Sequence, residues 1–564
     1  MNKQYVFERN LLSLSVAHPD LCNRLSAAET SFGNYTFLES RLGELIPAIT
    51  DNSGKAHPLH SMIDPVKEGS RLLHTIDDAG FLIILGLGGA FHITAALARK
   101  DILKIIIIDF NINGIAELFA SKEYVEIFKD KRVSFMIDPP VSCIEDFVVN
   151  NYNPALFGGI SVLPLRTRTD LDVEKFNAAC DEIKLAIDRI SGDFSVQSLF
   201  GKRWFSNIIR NLKSAEHKTC FIPTIHHVAI IAAGPSLDLQ LSHLEKNRSL
   251  LYVISTDTAA PALLERGIIP DAIISMDCQH FSLYHFTGTR LQNIPLFLDM
   301  ASPSAITALS DQVHFFTSGH PFSQYITQYW KHLPFIDTSG GNVTYTALSL
   351  ADSLGAKKID LYGLDFSYSK GNVYAKGTYI HKLFAHKQNR FSQSESQFNH
   401  FLYRNTSLEK VETEQTWYYQ TRMLKDYRGH FERKLASLSS QIHQIEGIGI
   451  SLNVQKNNFV QSGNIIFPLS SGIASVSAED FLAQYYDDIK KISSEKDLSL
   501  VLENTENALA KETHLVMTLL PLFASFKKEF PDKDIFTIFE MTKYFVLNNI
   551  EKVFSSELPS TFVS

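Results

Sequence analysis

The alternation of hydrophobic and polar positions divides the chain into three zones. In residues 1–215, the uninterrupted apolar run 81–84 and a second run at 102–110 have the character of strands buried on both faces. Helical stretches separate these runs, and strands that alternate with helices form parallel sheets. The first zone therefore predicts a Rossmann-like α/β domain.

The second zone, residues 216–395, repeats this pattern with more strands. Short apolar runs lie at 226–238, 249–257, 272–277, 294–299, 313–319 and 357–365. Before the last run, Ala347, Leu350, Ala351 and Leu354 share one face of a predicted helix, which Gly355 is suited to end. We expect a second parallel α/β domain here.

The third zone, residues 396–564, is predicted to be mainly helical. Residues 411–445 contain no proline and are rich in helix-forming residues, which favours one long helix. A short β-like piece at 451–469 follows, and helices resume near Ala478. The polar segment 391–408 is typical of a loosely packed linker.

Composition restricts the class of protein. The 564 residues are 45% hydrophobic and 20% charged, which excludes wholesale disorder, and the net charge of -8 argues against a nucleic-acid-coating protein. Five cysteines without a CxxC pair indicate a reducing compartment. Because the apolar runs are too short to span a bilayer, we expect a cytoplasmic protein without a membrane span. The oligomeric state stays open.

Polar residues end the predicted strands of the second zone. In an open parallel sheet these residues share one edge, where ligands bind. The expected members of this edge are Gly234, Asp257, Asp277, Asp299, Thr338 and Asp365.

Glycine-containing turns precede two helices of this zone. Gly234, Pro235, Ser236 and Leu237 form the sharper motif, in which Ser236 suits a helix N-cap. Gly340, Gly341 and Asn342 precede the second helix. Free N–H groups at such helix starts can hold a phosphate, although a plain strand–helix turn has the same spacing.

A related motif lies in the first zone. Gly86, Gly88 and Gly89 follow a strand and open a helix, and Asp109 ends the next strand. This is an incomplete dinucleotide or adenosyl fingerprint. The cofactor loop that it predicts is either active or vestigial.

Three ordered blocks resemble a known family. They read AIIAAGPSLD, ISTDTAAPALLERGIIPDAIISMDCQ and SGGNVTYTALSLADSLGAKKIDLYGLDFSYSKG, and they span about 150 residues. Together they are similar to the central, MptE-like (DUF115) domain of the motility-associated factor (Maf) flagellin glycosyltransferases. The resemblance implies a Rossmann-like N-terminal domain, a central GT-A-like, sialyltransferase-like α/β domain and a mostly helical C-terminal domain.

The resemblance also implies an activity. Members of this family are thought to transfer a nonulosonic acid, of the pseudaminic or legionaminic type, to Ser or Thr hydroxyls of flagellin before export. This modification serves flagellum assembly and motility. The donor is a CMP-sugar, and no metal or other cofactor is required.

Carried onto this sequence, the resemblance assigns roles to the edge residues. Gly234, Pro235, Ser236 and Leu237 would cradle the nucleotide phosphate, and Thr256 and Thr258 would line the nucleotide beside Asp257. The second helix start would contribute Gly340, Gly341, Asn342 and Thr344, and Tyr368 would close the rim. Candidate catalytic residues are Asp257, Asp277, Asp365 and His381. The sequence departs from the family where Tyr374 to Gly377 replace a segment with a histidine, so His381 is the nearest substitute.

Other classes of function stay open. A pterin-type pyrophosphokinase would use ATP and Mg²⁺, held by Asp257 and Asp277. A methyltransferase would bind adenosylmethionine at the loop of the first zone. A flagellin-binding protein without chemistry would need neither nucleotide nor metal.

Overall fold

A computed structural model describes residues 3–28, 33–50, 55–77, 79–286, 289, 291, 293–404, 407–412, 417–453, 469–493 and 511–555. The chain forms two compact units. The first comprises Met1–Gly201 and Ile492–Thr542, and the second comprises Lys202–Lys491 and Lys543–Ser564. The division falls inside the helix Val173–His217, and the predicted helical zone contributes residues to both units.

The first unit contains an antiparallel sheet and a parallel sheet. Strands β1 (Thr36–Glu39), β2 (Leu45–Thr50) and β3 (Ala56–Pro58) pair antiparallel. Strands β4 (Phe81–Leu85), β5 (Lys104–Asp109), β6 (Val133–Ile137) and β7 (Ile160–Pro164) pair in parallel in the order β6-β5-β4-β7. Every residue of β4 and β5 is buried, as their continuous apolar runs predicted.

The second unit is built on a larger parallel sheet. After β8 (Phe221–Ile222), its strands are β9 (His227–Ile231), β10 (Tyr252–Thr256), β11 (Ala272–Ser275), β12 (Leu296–Asp299), β13 (Val313–Phe316) and β14 (Lys358–Tyr362). The later strands of the unit are β15 (Tyr368–Ser369), β16 (Glu409–Glu412), β17 (Trp417–Gln420), β18 (Gln441–Gln444) and β19 (Leu469–Ser470). The described part of the large sheet has the order β13-β12-β11-β10-β9-β14-β18, and each neighbouring pair is parallel.

Helices make up most of the remaining regular structure. Those of the first unit are Lys3–Ala17, Pro19–Ala27, Pro65–Leu73, Phe91–Leu97, Ile112–Ser121, Val125–Lys129, Ile144–Asn151, Pro154–Phe157, Arg166–Thr169 and Lys511–Glu529. Those of the second are Leu237–Asn247, Ala260–Glu265, Pro321–Tyr329, Val343–Ser353, Tyr379–Lys387, Ser394–Tyr403, Arg422–Ser437 and Ala478–Lys491. Val173–His217 and Ile535–Ser555 contribute residues to both units, and short 3₁₀ turns lie at Val141–Cys143, Arg248–Leu250, His280–Phe286 and Ser304–Leu309. No helix in the described ranges is both long and apolar enough to cross a membrane.

The fold class predicted from the sequence is confirmed, including the parallel sheets. The predicted helical face of Ala347, Leu350, Ala351 and Leu354 is buried in the helix Val343–Ser353 and its C-cap. Gly355 follows with a φ of +77°, the left-handed conformation that ends helices at glycine.

The prediction of one long helix over residues 411–445 is wrong. Strands β16 and β17 occupy its start, the helix Arg422–Ser437 occupies its middle, and β18 occupies its end. Helix propensity is overridden because β18 pairs in parallel with β14 and extends the central sheet. The segment 391–408 contains the helix Ser394–Tyr403 instead of a linker, and most of the β-like piece at 451–469 lies outside the described residues.

Candidate functional site

The turn at residues 234–237, here called the GPSL turn, follows β9 and begins the helix Leu237–Asn247. The Gly234 amide donates to the Gly363 carbonyl at 2.8 Å, and a Cβ on Gly234 would collide with that carbonyl and with the Asp365 carboxylate. Pro235, Ser236 and Leu237 are buried, while Gly234 keeps partial exposure. A ligand would therefore meet backbone at Gly234 rather than the side chains of this turn.

Asp365 holds the GPSL turn in place. Its Oδ2 accepts from the Ser236 amide at 2.8 Å, and its carbonyl accepts from the Ile450 amide at 3.0 Å. The side chain is buried, and this burial raises the pKa of Asp365. The carboxylate is thus engaged within the protein, so the geometry makes Asp365 a positioning residue, in contrast to its predicted catalytic role.

Ser236 is the N-cap of its helix, as predicted, but its hydroxyl bonds elsewhere. The Oγ accepts from the Ile448 amide at 2.8 Å and makes no capping bond within the helix. Gly447 and Gly449 follow β18 and leave no room for a Cβ against Ser236 and Asp365. The loop after β18 thereby covers the GPSL turn. The sequence patterns did not predict β18, yet this strand positions the loop that packs on the turn.

An aspartate–histidine pair lies at the carboxyl end of the neighbouring strand β10. The buried Asp257 Oδ1 lies 3.3 Å from His285 Nδ1 and accepts from the Thr258 amide at 2.6 Å. Its Oδ2 accepts from the Ser275 hydroxyl at 2.7 Å. Thr258 Oγ1 also lies 3.2 Å from His285 Nδ1. His285 Nδ1 thus faces both the Asp257 carboxylate and the Thr258 hydroxyl, which together orient the ring.

The ion pair changes the pKa of both partners. Burial alone would raise the pKa of Asp257, but His285 and the donors from Ser275 and Thr258 outweigh it and lower that pKa. Burial alone would lower the pKa of His285, but Asp257, followed by Asp277, raises it. Opposite shifts of this kind are typical of an acid–base pair in a functional site.

Asp277 follows β11 and stands beside this pair. The carboxylate is half-buried, and Oδ1 accepts from the Gln279 amide at 2.9 Å. Burial, reinforced by the negative charge of Asp257, raises the pKa of Asp277. The site therefore combines one carboxylate that stays ionised with a second that protonates more readily.

Aromatic rings enclose the histidine. The Tyr379 ring stacks on His285 with a centroid distance of 4.5 Å and an interplanar angle of 23°. Phe281 packs edge-on against Tyr379 at 5.3 Å. Burial raises the pKa of Tyr379 to about 12, so its hydroxyl stays protonated at neutral pH.

The second predicted helix start is also formed. Asn342 caps the helix Val343–Ser353 by accepting from the Tyr345 amide at 3.0 Å. Gly341 has a φ of +74°, and a Cβ there would lie 3.1 Å from the Tyr427 ring, while one on Gly340 would collide with Tyr345. Thr344 is half-buried in the first turn of this helix. The charge of Asp277 contributes to a raised pKa of Tyr427, after burial, which relates this helix start to the Asp277 side of the site.

Other predicted residues serve the scaffold or lie apart. Thr256 donates to the Ile231 carbonyl at 3.1 Å, and Asp299 accepts from the Ala301 amide at 2.7 Å while burial raises its pKa to about 6. Tyr368 lies in β15 and pairs with Tyr419. His381 packs against Phe398 at 4.7 Å, and its Nε2 lies 3.3 Å from the Tyr374 carbonyl. None of these recorded contacts brings His381 to Asp257 or Asp277.

The glycine loop of the first unit is filled by the protein's own side chains. A Cβ on Gly86 would meet Arg168 at 2.9 Å, and one on Gly88 would meet His60 Nε2 at 2.7 Å. The Gly89 amide donates to that same nitrogen at 2.9 Å. Asp109 is buried, accepts from the Leu87 and Phe110 amides at 2.7 Å and pairs with Arg168 at 2.9 Å. This geometry favours the interpretation that the predicted cofactor loop is vestigial rather than active.

His285 is the residue that sequence reasoning missed. It lies in the 3₁₀ turn His280–Phe286, eight positions after Asp277. The sequence did offer one indication of its role. His285 follows the carboxyl end of β11, and ligands bind beyond the carboxyl ends of the strands in an open parallel sheet. No group of three or more His, Cys, Asp or Glu side chains in the described ranges has an arrangement that could hold a metal ion.

Taken together, the second unit is a parallel α/β domain with a buried aspartate–histidine pair at the carboxyl edge of its sheet. Residues 202–371 match the family model for the 6-hydroxymethylpterin diphosphokinase MptE-like domain. The fold is similar over 100% of this chain to a Maf glycosyltransferase from Magnetospirillum magneticum AMB-1, over 98% of that chain, with a TM-score of 0.59 and 12% identity. The chain thus carries an MptE-like domain, as its sequence motifs predicted, and its fold is similar to that of a Maf glycosyltransferase.

Relatives in Treponema pallidum (strain Nichols) share parts of the sequence. One uncharacterized protein is 30% identical over 193 residues, which are 32% of this chain and 32% of the relative. A second is 36% identical over 136 residues, which are 24% of this chain and 48% of the relative. The chain therefore spans about a third to a half of these relatives, and the similarity is confined to segments.

Proposed function

We propose that this protein is a glycosyltransferase that transfers a nonulosonic acid from a CMP-sugar to Ser or Thr hydroxyls of flagellin, in the cytoplasm before export. The Maf-type fold and the MptE-like domain support a transferase. The observation that carries the proposal is the Asp257–His285 pair at the carboxyl edge of the central sheet, where the donor and acceptor would meet.

The pair fits the proton transfer that this reaction needs. The acceptor oxygen forms a bond to the anomeric carbon of the sugar, and the bond between that carbon and the phosphate oxygen of CMP breaks. The hydroxyl proton passes to neutral His285, and Asp257 stabilises the resulting imidazolium. The electrons of the broken bond leave with CMP, whose phosphate is already anionic.

Binding of the donor phosphate is assigned to backbone rather than to a metal. The helix start after Asn342 lies at this edge of the sheet, and Gly234 lets a ligand approach the backbone of the GPSL turn, whose own amides are engaged within the protein. The half-buried Asp277, which stands beside the Asp257–His285 pair, is the carboxyl group proposed to contact the bound donor. No metal and no further cofactor enters this proposal.

The test combines purified protein, unglycosylated flagellin and a CMP-nonulosonate, and follows the intact mass of flagellin. We expect one sugar mass per modified hydroxyl with the unaltered protein and a rate lowered about 10²–10⁴-fold in His285→Ala. His226→Ala is the matched control, because His226 is exposed and precedes β9, at the end of the strand opposite to the site, and should retain the rate within about threefold. An unchanged flagellin mass with the cell's own donor sugar would refute the proposal.

A pterin-type pyrophosphokinase is the second candidate, favoured by the matching family model and by the adjacent carboxylates Asp257 and Asp277. It requires ATP and Mg²⁺. If the protein with ATP, Mg²⁺ and a hydroxymethylpterin releases AMP while flagellin mass stays constant, this candidate replaces the first. Flagellin binding without either reaction would instead indicate a binding protein.

A further inference from the structure

A basic helical hairpin lies next to the candidate site. It consists of the helices Tyr379–Lys387 and Ser394–Tyr403 with the turn between them, and ends at Arg404. The sequence 379–404 contains Lys382, Lys387, Arg390 and Arg404 but a single carboxylate, Glu395. Four cations against one carboxylate give the hairpin a positive net charge, although the chain as a whole has a net charge of -8.

The hairpin contains a cavity of about 400 Å³ with aromatic and cationic walls. Its lining includes Phe384, Lys387, Phe391, His400, Phe401 and Arg404. Phe391, at the tip, is 95% exposed. The turn that carries it is held by Asn389, whose Oδ1 accepts from the amides of Phe391 and Ser392 at 2.9 and 3.0 Å. An aromatic ring is thus presented to solvent on a defined turn.

The cations at this cavity are not neutralised by the hairpin itself. Lys382, outside the cavity, pairs with Glu265 at 2.9 Å. Lys387, Arg390 and Arg404 have no recorded ion pair with a carboxylate of the described residues, and Arg404 lies over the Phe401 ring at 3.8 Å. The exposed ring of Phe391, beside cations without a carboxylate partner among the described residues, favours a partner with apolar and acidic groups.

The same hairpin contacts the acid–base pair. Tyr379, its first residue, stacks on His285 at 4.5 Å. A partner bound along the hairpin would therefore lie next to the atoms that transfer the proton.

We propose that the hairpin binds an acidic segment of the acceptor polypeptide and so delivers its hydroxyl to His285. Phe391 and Phe401 contact apolar side chains of that segment, and Lys387 and Arg404 contact its carboxylates. A polypeptide fits better than the small donor, because the cations are spread over both helices and the tip is exposed, whereas small-molecule sites enclose most of their ligand. This inference rests on the proposed function, since it requires a protein acceptor.

The test measures binding of unglycosylated flagellin without donor, and then the KM for flagellin and for the CMP-sugar separately. In Lys387→Glu and in Phe391→Ala, we expect the Kd and KM for flagellin to rise by about tenfold or more, with an unchanged KM for the donor. Lys246→Glu is the matched control, because Lys246 is an exposed lysine on the helix Leu237–Asn247 and its substitution changes net charge equally. The control should bind flagellin as the unaltered protein does.

The outcomes separate this inference from the proposed function. Equal flagellin affinity in Lys387→Glu and Lys246→Glu, a rise in donor KM alone, or no flagellin binding by the unaltered protein would overturn the hairpin assignment. If flagellin binding depends on Lys387 and Phe391 but no sugar is transferred, the hairpin assignment stands and the proposed reaction fails. If transfer proceeds with the same flagellin KM in both hairpin variants, the reaction stands and the hairpin assignment fails.

Discussion

Asp109 and Asp257 both stand at the carboxyl end of a buried parallel strand, but their partners differ. Asp109 pairs with Arg168, whose side chain is 2% exposed and which stays charged at every physiological pH. Asp257 pairs with His285, a side chain that can gain and lose a proton and whose pKa the Asp257 charge raises. Similar strand ends therefore carry a permanently charged pair in the first unit and a titratable pair in the second.

The largest expected effect tests whether Asp109 stabilises the fold. Asp109→Ala leaves the buried Arg168 with Asp172 as its remaining carboxylate partner, so the free energy of unfolding should fall by about 3–5 kcal/mol. Urea denaturation of the full chain measures this change. Asp172→Ala is the control, since Asp172 is partly exposed, and should cost about 1 kcal/mol or less. A fully stable Asp109→Ala variant that loses transfer would reverse the comparison.

The next effect tests the role proposed for Asp257 in proton transfer. Asp257→Asn keeps the side-chain shape but removes the charge that stabilises the imidazolium, so we expect transfer to fall about 10²-fold or more. The matched control is Asp360→Asn. Asp360 also pairs with a histidine, His227, at 2.8 Å, but in the body of β14 near the amino end of β9. Rate measurements that show equal losses in both variants would contradict the special role of Asp257.

Glycine substitutions sharpen the comparison at the two turns. Gly234→Ala would press a Cβ against Asp365 and Gly363, so we expect about 1–3 kcal/mol of destabilisation together with a raised donor KM. Gly88→Ala, with a φ of +50° and contacts to Leu165 and His60, should destabilise similarly while donor KM stays unchanged.

Gly429→Ala is the control for both, because a Cβ at this helical position meets nothing within 4 Å. It should be neutral or slightly stabilising. A raised donor KM in Gly88→Ala would assign a binding role to the loop of the first unit.

The smallest expected effect is the pH dependence of the ion pair. The raised pKa of His285 contributes stability that is complete below the unfolded value of about 6.5 and is lost as pH rises through the folded value. The lowered pKa of Asp257 contributes stability above its unfolded value of about 3.9, lost as pH falls through the folded value. The stability difference between the unaltered protein and His285→Gln should therefore be largest between about pH 4 and 6.5, and should shrink by pH 9.

Urea denaturation at pH 5.5 and pH 9 measures this difference. His381→Gln, outside the pair, should show the same difference from the unaltered protein at both pH values. A pH-independent difference for His285→Gln would mean that the recorded contact is not an ion pair in solution.

Sequence patterns predicted the strands better than the side-chain roles. Continuous apolar runs such as β4 and β5 predict strands buried on both faces, because every side chain in them must be buried. The run 411–445 failed because helix propensity is weak compared with the pairing of β18 to β14. The position at the sheet edge was predictable for Asp257, Asp277 and Asp365. The strand pattern does not show which of these carboxylates is hydrogen-bonded to a neighbouring backbone amide.

The sequence alone determined the parallel α/β class, the edge at which polar residues gather and the Maf/MptE-like resemblance, since periodicity and ordered motifs are local properties of the chain. The tertiary structure decided that His285 joins Asp257, that Asp365 is engaged with Ser236, and that His381 packs elsewhere. These outcomes depend on contacts between residues far apart in sequence, where burial and charge, rather than residue type, set what a side chain can do.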